Sequence, residues 1–341
     1  MKKERVVADF NGDNRMDLAF LNEGKDIVSL YFGNGNGTFR TEFMSYGFYN
    51  DLIQIIAGDF NNDNRVDLIG FREFGGLTVK LGDGFGRFQH SFYQPTSSGT
   101  TEVISVDLNG DPCLDIVWTT ATAFCDRNNF VNIFSGSCDG KFSKYERYST
   151  GINSYPLSIA VTDFNNDNYP DIAVLNQYDK NIGIFLGYGN GTFQEQKTSI
   201  SGGLHTPESF AIGDFNNDKL SDVVISYEER NYIIVMFGYG NGTLGKNKKY
   251  DIGDISNYKL FVKDFNNDGF LDIGFGRTSH QVNILIGDGN GNFQLQIAFL
   301  TRITNGNGWI AIGDFNTDGR EDIIDVNESS GFYEIFLNII E

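Results

Sequence analysis

Short apolar runs, four to seven residues long and separated by polar turns, recur along the whole chain. Residues 155–205 show the pattern most clearly. Leu157 to Val161 is apolar and ends in an acidic loop, and Asp171 to Leu175 follows it. Asn181 to Leu186 is a third run. It leads through Gly187-Tyr188-Gly189-Asn190-Gly191-Thr192-Phe193 into the more polar Gln194 to Ile200. Runs this short, bounded by turn residues, are strands rather than helices, so four of them predict one antiparallel sheet. The glycine-rich turn returns as Gly33-Asn34-Gly35-Asn36-Gly37, Gly82-Asp83-Gly84-Phe85-Gly86, Gly238-Tyr239-Gly240-Asn241-Gly242 and Gly287-Asp288-Gly289-Asn290-Gly291. Asn-Gly and Asp-Gly steps supply positive φ cheaply and mark hairpins. A phosphate cradle is excluded, because no helix follows and no Lys-Ser/Thr completes a P-loop.

The acidic loop is the sharper signal. Asp-x-Asn-x-Asp-x-x-x-Asp starts at Asp9, Asp59, Asp107, Asp163, Asp214, Asp264 and Asp314, with gaps of 50, 48, 56, 51, 50 and 50 residues. The side-chain donors at positions 1, 3, 5 and 9 are Asp9, Asn11, Asp13 and Asp17; Asp59, Asn61, Asp63 and Asp67; and Asp107, Asn109, Asp111 and Asp115. The remaining four sets are Asp163, Asn165, Asp167 and Asp171; Asp214, Asn216, Asp218 and Asp222; Asp264, Asn266, Asp268 and Asp272; and Asp314, Asn316, Asp318 and Asp322. The backbone carbonyl of position 7 would add a fifth donor, from Arg15, Arg65, Cys113, Tyr169, Leu220, Phe270 and Arg320.

Oxygen-only donors suit Ca²⁺ better than zinc or copper, and better than Mg²⁺, which wants a small octahedral shell. Up to seven Ca²⁺ ions are expected. EF-hands are excluded: position 12 is Phe20 in the first loop and Val174 in the fourth, where an EF-hand needs Glu, and the flanks are strands. Position 6, where φ is often positive, is Asn14, Asn64, Asn168, Gly269 and Gly319, but Pro112 and Lys219 break the trend. Because the proline ring fixes φ near −65°, the third loop is expected to turn differently and to bind more weakly.

Repeated four-stranded sheets at this period predict an all-β, seven-bladed propeller forming one domain over 1–341, with repeats 1–50, 51–98, 99–154, 155–205, 206–255, 256–305 and 306–341. Small residues in the first strand (Ala57, Gly58, Ala160, Ala211, Gly213, Ala311, Gly313) fit a crowded axis. Phe10, Phe60, Phe164, Phe215, Phe265 and Phe315, with Leu108 in the third repeat, are expected to pack between neighbouring sheets. The seventh repeat stops at Phe336 to Glu341, where a fourth strand should begin, so its blade is expected to be one strand short with an exposed edge. Cys113, Cys125 and Cys138 all fall in the third repeat, and the topology puts Cys113 and Cys138 at one end of a blade. A Cys113–Cys138 bridge is expected, with free thiols as the alternative.

Glycine-rich hairpins paired with Ala-x-x-Asp-Phe-Asn-x-Asp-x-x-x-Asp resemble the FG-GAP, or VCBS-type, repeat. That repeat builds the propeller of integrin α-subunits and similar extracellular proteins. The resemblance covers nearly the whole chain, and it implies calcium in the loop between strands 1 and 2 of each blade.

The formal charge of −19 changes meaning in this light, because seven divalent ions (+14) would bring it to −5. No basic stripe exists to meet phosphates, which argues against a nucleic-acid partner. No apolar run approaches the roughly 20 residues of a membrane span. Calcium loops fill where Ca²⁺ is plentiful, so an extracellular or cell-surface setting is expected, although Met1-Lys2-Lys3-Glu4 leads into the first repeat without a signal peptide. The sequons at Asn36, Asn190, Asn241 and Asn327 agree with that setting.

Strand alternation places acidic loops and hairpins on one face. The other face does not repeat. It carries Tyr49, Arg72, Tyr155, Tyr178, His205, Tyr227, Glu228, Arg230, Tyr258, His280 and Trp309. A protein or glycan ligand is expected there, as an adhesion or protein-binding module or as a lectin-like binder. Catalysis is not expected: His90, His205 and His280 form no triad or HExxH motif, and the aspartates are spent as ligands. A polysaccharide-active enzyme would need a deep cleft with two unligated carboxylates.

Overall fold

The computed structural model describes residues 5–22, 27–48, 51–121, 128–201, 205–228, 230–252, 258–277, 281–300, 308–327 and 333–337. Tyr49, Cys125, His280 and the last two residues of the Asn327 sequon lie outside them, as do the side chains of His90, Tyr258 and Trp309.

The chain is a seven-bladed β-propeller. Blade 1 comprises Arg5–Ala8, Asp17–Asn22, Ile27–Gly33 and Phe39–Gly47; blade 2, Leu52–Gly58, Asp67–Arg72, Leu77–Gly82 and Phe88–Gln94. Blade 3 is built from Thr100–Val106, Asp115–Thr120, Asn128–Gly136 and Phe142–Ile152; blade 4, from Pro156–Thr162, Asp171–Asn176, Asn181–Phe185 and Lys197–Ile200. Blade 5 takes Pro207–Gly213, Asp222–Tyr227, Tyr232–Gly238 and Leu244–Asp251; blade 6, Tyr258–Lys263, Asp272–Arg277, Gln281–Gly287 and Phe293–Leu300. Blade 7 has Gly308–Gly313, Asp322–Asn327 and Tyr333–Phe336, three strands as the sequence predicts. Each sheet runs in simple sequential order.

Two positions depart from the expected strands and turns. Strand 4 of blade 4 begins at Lys197 rather than Gln194: the hairpin closes in an isolated antiparallel bridge between Gly187 and Phe193, with the Gln194 N–H on the Leu186 carbonyl at 2.8 Å, and the continuous ladder resumes only at Lys197. Pro112 does not turn differently: its φ is +36°, and Lys219 sits at +67°, so both follow the other loops into the left-handed half. For Pro112 this is strained backbone. At the next residue Cys113 is bonded to Cys138 of the same blade's hairpin.

The chain divides into two compact units, Met1–Ile159 with Ala311–Gly319, and Ala160–Ile310 with Arg320–Glu341. Within each, the core lies between adjacent blades. Phe10, Val28, Leu30, Ile55 and Leu68 pack between blades 1 and 2, and Phe60, Ile69, Val79, Trp118 and Phe134 between blades 2 and 3. In the second unit Phe215, Val224, Val235, Ile273 and Phe275 do the same between blades 5 and 6. This explains the composition gradient across a blade. Strand 2 is covered on both faces, so Asp171–Asn176 and Asp222–Tyr227 are buried throughout and nearly continuously apolar. Strand 4 is outermost, and Phe142–Ile152 is polar and largely open.

A latch repeats along the seams. The last glycine of a hairpin donates its N–H to the carbonyl of the residue after the first loop aspartate of the preceding blade. The pairs are Gly86 to Phe10 at 3.0 Å, Gly140 to Phe60 at 2.9 Å, Gly242 to Phe164 at 3.1 Å and Gly291 to Phe215 at 2.9 Å. Gly37 of blade 1 reaches Phe315 of the seventh repeat in the same way at 2.9 Å. Ring pairs reinforce it: Phe10–Phe88, Phe60–Phe142, Phe215–Phe293 and Phe315–Phe39 meet edge-on at 5.7 to 6.4 Å between centroids. Such pairs add about 0.5–1.5 kcal/mol beyond their burial. Nearer the start of strand 1 a second belt joins neighbours: Gln54 Nε2 donates to the Val103 carbonyl at 3.1 Å, Ile159 N–H to Glu102 at 3.0 Å, and Leu260 N–H to Ser209 Oγ at 3.3 Å.

The glycine that opens each hairpin is fixed by space. A Cβ on Gly187 would lie 2.2 Å from the Pro170 carbonyl oxygen, whereas one on Gly110 (φ +77°) would meet nothing within 4 Å. Gly187→Ala is therefore expected to cost at least about 3 kcal/mol in urea unfolding. Gly110→Ala should cost only about 1 kcal/mol, the strain of φ alone. Equal losses at the two sites would contradict this packing.

Candidate metal loops

Each acidic loop is a tight curl held by its own carboxylates. In the first, Asp9 Oδ1 accepts the N–H groups of Gly12 at 2.8 Å and Asp13 at 3.1 Å, and Oδ2 accepts that of Asn14 at 2.7 Å. Position 6 donates likewise to position 1 in five further loops: Asn64, Asn168, Lys219, Gly269 and Gly319, at 2.7 to 2.9 Å. The third loop lacks this bond because Pro112 has no N–H; Asp107 is held instead by Gly110 at 2.7 Å and Asn109 at 3.1 Å. Position 5 accepts the N–H of position 7, as in Asp13 from Arg15 at 3.1 Å, Asp167 from Tyr169 at 2.9 Å and Asp268 from Phe270 at 2.8 Å.

Positions 1, 3 and 5 are thereby gathered in one curl. The asparagine Oδ1 accepts the position 5 N–H at 2.9 to 3.2 Å in all seven loops. Its amide faces the position 5 carboxylate at 2.8 to 3.0 Å in six. In the first loop Arg40 takes that carboxylate oxygen of Asp13 at 3.2 Å, an exposed pair worth about 0–1 kcal/mol.

Position 9 has a second role that the spacing did not reveal. Asp17, Asp67, Asp115, Asp171, Asp222 and Asp272 are buried at the start of strand 2. One carboxylate oxygen accepts the N–H of the residue after position 1 at 2.8 to 3.0 Å. The other accepts the N–H of the hairpin's first glycine, Gly33, Gly82, Gly136, Gly187, Gly238 or Gly287, at 2.7 to 2.8 Å. One side chain so ties the 1–2 loop to the 3–4 hairpin of its blade. Sequence held a clue: the first hairpin glycine falls 15 or 16 residues after position 9 in most repeats.

Burial pushes Asp17, Asp67 and Asp171 up from 3.8 to about 6, and Asp222 to about 7; the two N–H bonds pull back, and the loop's other aspartates push further up. Asp115 and Asp272 are raised for the same reasons.

Among the described residues no three His, Cys, Asp or Glu side chains are already gathered as a metal-holding group. The oxygens a cation would take are bonded to the loop's own N–H groups. The donor set still fits a hard cation. Three carboxylates and an amide lie within nine residues, and a carboxylate oxygen that accepts one N–H keeps a second lone pair.

The two roles separate by mutation. Asp171→Asn puts an amide against one of two buried N–H donors and is expected to cost about 1–3 kcal/mol even with chelator present. Asp167→Asn, in the exposed part of the loop, should cost under about 0.5 kcal/mol under the same conditions. Chemical denaturation in EDTA distinguishes them, and equal losses would refute the division.

Comparison with known proteins agrees with this geometry. The human T-cell immunomodulatory protein is 28% identical over 202 residues, which is 55% of this chain and 32% of that protein. The chain thus matches about a third of its relative's length. An Agrocybe aegerita lectin structure, of specific recognition of non-reducing terminal N-acetylglucosamine, superposes with a TM-score of 0.65 at 19% identity, covering 99% of this chain and 86% of the lectin. BBS1N, in a complex with ARL6DN, superposes with a TM-score of 0.66 at 10% identity, over 98% and 92%. Residues 9–70, 107–174, 163–225, 214–275 and 264–324 match the FG-GAP-like repeat. With most of the chain matched and a buried aspartate tying loop to hairpin in six of its blades, this protein belongs to the FG-GAP-like repeat family.

Proposed function

We propose that this chain is a calcium-holding propeller that works outside the cell as an adhesion or protein-binding module, by binding rather than catalysis. Ca²⁺ would be held by positions 1, 3, 5, 7 and 9 of the loops. It would supply the positive charge that three neighbouring carboxylates lack. The observation that carries the binding reading is the contrast between the two faces. One repeats by rule, while the other varies in sequence and length from blade to blade and also presents large side chains to solvent. In the first unit these include Phe74, 77% exposed, in the turn after Arg72. In the second they include Tyr178, 61% exposed, together with Glu228 and Arg230. Tyr227 leaves the candidate set, because it is fully buried and its hydroxyl donates to the Ser201 carbonyl at 2.6 Å. Family membership and a structural neighbour in complex with ARL6DN support a protein partner.

A carbohydrate reading is the alternative. Tyr188 and Tyr239 occupy the same hairpin position in blades 4 and 5, both 57% exposed, and a lectin shares the fold. By contrast, a cavity of about 310 Å³ lined by Gln94, Pro95, Thr96, Ser97, Phe134 and Tyr145 carries no carboxylate pair for glycoside cleavage.

Each filled loop is linked to folding, and a site held at a hundred times its Kd adds about 2.7 kcal/mol. Removing calcium with EDTA is therefore expected to lower Tm by many degrees, with Ca²⁺ but not Mg²⁺ restoring it. An unchanged Tm would refute the calcium role. A glycan array in calcium buffer separates the two ligand classes: silence favours the protein reading, and a selective signal favours the lectin.

A further inference from the structure

In five blades the side chain at loop position 7 lies across the second glycine of its own hairpin. Arg15 covers Gly35, Arg65 Gly84, Tyr169 Gly189, Leu220 Gly240 and Phe270 Gly289, so closely that a Cβ on the glycine would come within 2.2 to 3.3 Å of it. In blade 3 the two positions are Cys113 and Cys138, and a disulfide replaces the contact. Cys138 keeps the backbone of the glycine it stands for, with φ at +54° where those five glycines lie between +66° and +75°. A Cβ disfavours that region, as the proline ring disfavours the +36° of Pro112.

The third loop is also short of bonds of its own. In the other six, position 1 accepts the N–H of position 6. In the same six it accepts the N–H of position 5 at 3.0 to 3.3 Å, whereas Asp111 gives its N–H to Asn109 at 3.0 Å. The bridge meets the candidate ligand set directly. Cys113 N–H donates to Asp111 at 3.0 Å, and the Cys113 carbonyl is the candidate fifth oxygen. Gly110, Asp111 and Pro112 are exposed and Cys138 is half-buried, within reach of a soluble thiol.

We propose that the third loop is a redox-regulated cation site, an inference that rests on the calcium reading. Bridged, the loop keeps the curl that holds Ca²⁺. Reduced, it loses the tie that stands in for its missing bonds, Pro112 and Cys138 are free to leave positive φ, and its affinity falls while the other six loops keep theirs. The opening is local. Asp115 still takes the Leu108 and Gly136 N–H groups at 3.0 and 2.8 Å, so residues 109–113 loosen and the blade stands. The reductant is a dithiol. One of its thiolates attacks Cys138 Sγ, the S–S bond breaks, and Cys113 leaves as a thiolate that takes a proton. The second thiol closes on the mixed disulfide and frees Cys138. In all, two electrons and two protons pass from the dithiol to the two cysteines.

Amide exchange in EDTA, with and without dithiothreitol, tests the opening without calcium. The Gly110 and Cys113 amides, bonded to Asp107 and Asp111, are expected to exchange at least about five-fold faster after reduction. Gly136 and the Asn168 amide of the fourth loop should change by less than about two-fold. Calorimetric titration then reads the site: the reduced chain is expected to take up one Ca²⁺ fewer than the bridged chain. Cys113→Ala/Cys138→Ala should match the reduced chain without any reductant, which assigns the effect to this bridge rather than to Cys125. Asp111→Asn should lose the same ion and no longer respond to dithiothreitol. Thermal melts confirm that the variants fold. Unchanged exchange at Gly110 and Cys113, or equal calcium uptake by the bridged and reduced chains, would overturn the inference and leave the calcium-held module standing. No calcium uptake in either state would overturn the calcium reading and this inference with it.

Discussion

The blade depends on one buried carboxylate. In six repeats the aspartate at position 9 spends one oxygen on the N–H that starts the acidic loop and the other on the N–H that starts the glycine hairpin. A buried carboxylate is costly unless its lone pairs are met, and here backbone donors meet them. The arrangement fixes two turns far apart in sequence against each other. It also fixes the glycine, since the hairpin strand passes so close to the residue before the aspartate that no side chain fits between them.

From that point order spreads outward. The hairpin, once placed, presents its last glycine to the neighbouring blade's loop, and the phenylalanine beyond it to that loop's buried phenylalanine. Loop, hairpin and seam are therefore one connected network. A cation in the loop would act on all three, because position 9, the staple, is also one of the candidate ligands. The third blade keeps the Asp115 staple and adds a covalent one. Pro112 removes one loop bond, and Cys113–Cys138 joins the loop to the hairpin covalently. A bridge that closes a loop of this kind contributes stability chiefly by restricting the unfolded chain.

Much of this was legible in the residues. Seven acidic loops at a constant period counted the blades, the apolar runs located strands 1 to 3, and the clustered cysteines foretold the bridge. The buried phenylalanines came from their fixed place after the first aspartate. What escaped were relations between segments rather than segments themselves. Spacing made Asp171 a ligand candidate but did not show Gly187 as its partner. It marked Tyr227 as a surface tyrosine, although the fold turns it into the core. It also led us to expect a different turn at Pro112, whereas that loop keeps the common curl and lacks the bond that a proline cannot donate.

The central claim is that the buried aspartate, and not the exposed part of the loop, holds each blade's turns together. Amide hydrogen exchange resolved at single residues tests it directly. In chelator, the Gly187 and Gly238 amides, bonded to Asp171 and Asp222, should remain as protected as the neighbouring strand amides, while the Asn168 and Lys219 amides of the exposed curl exchange faster and slow only when calcium is added. Rapid exchange at Gly187 and Gly238 while their strands stay protected would contradict the account.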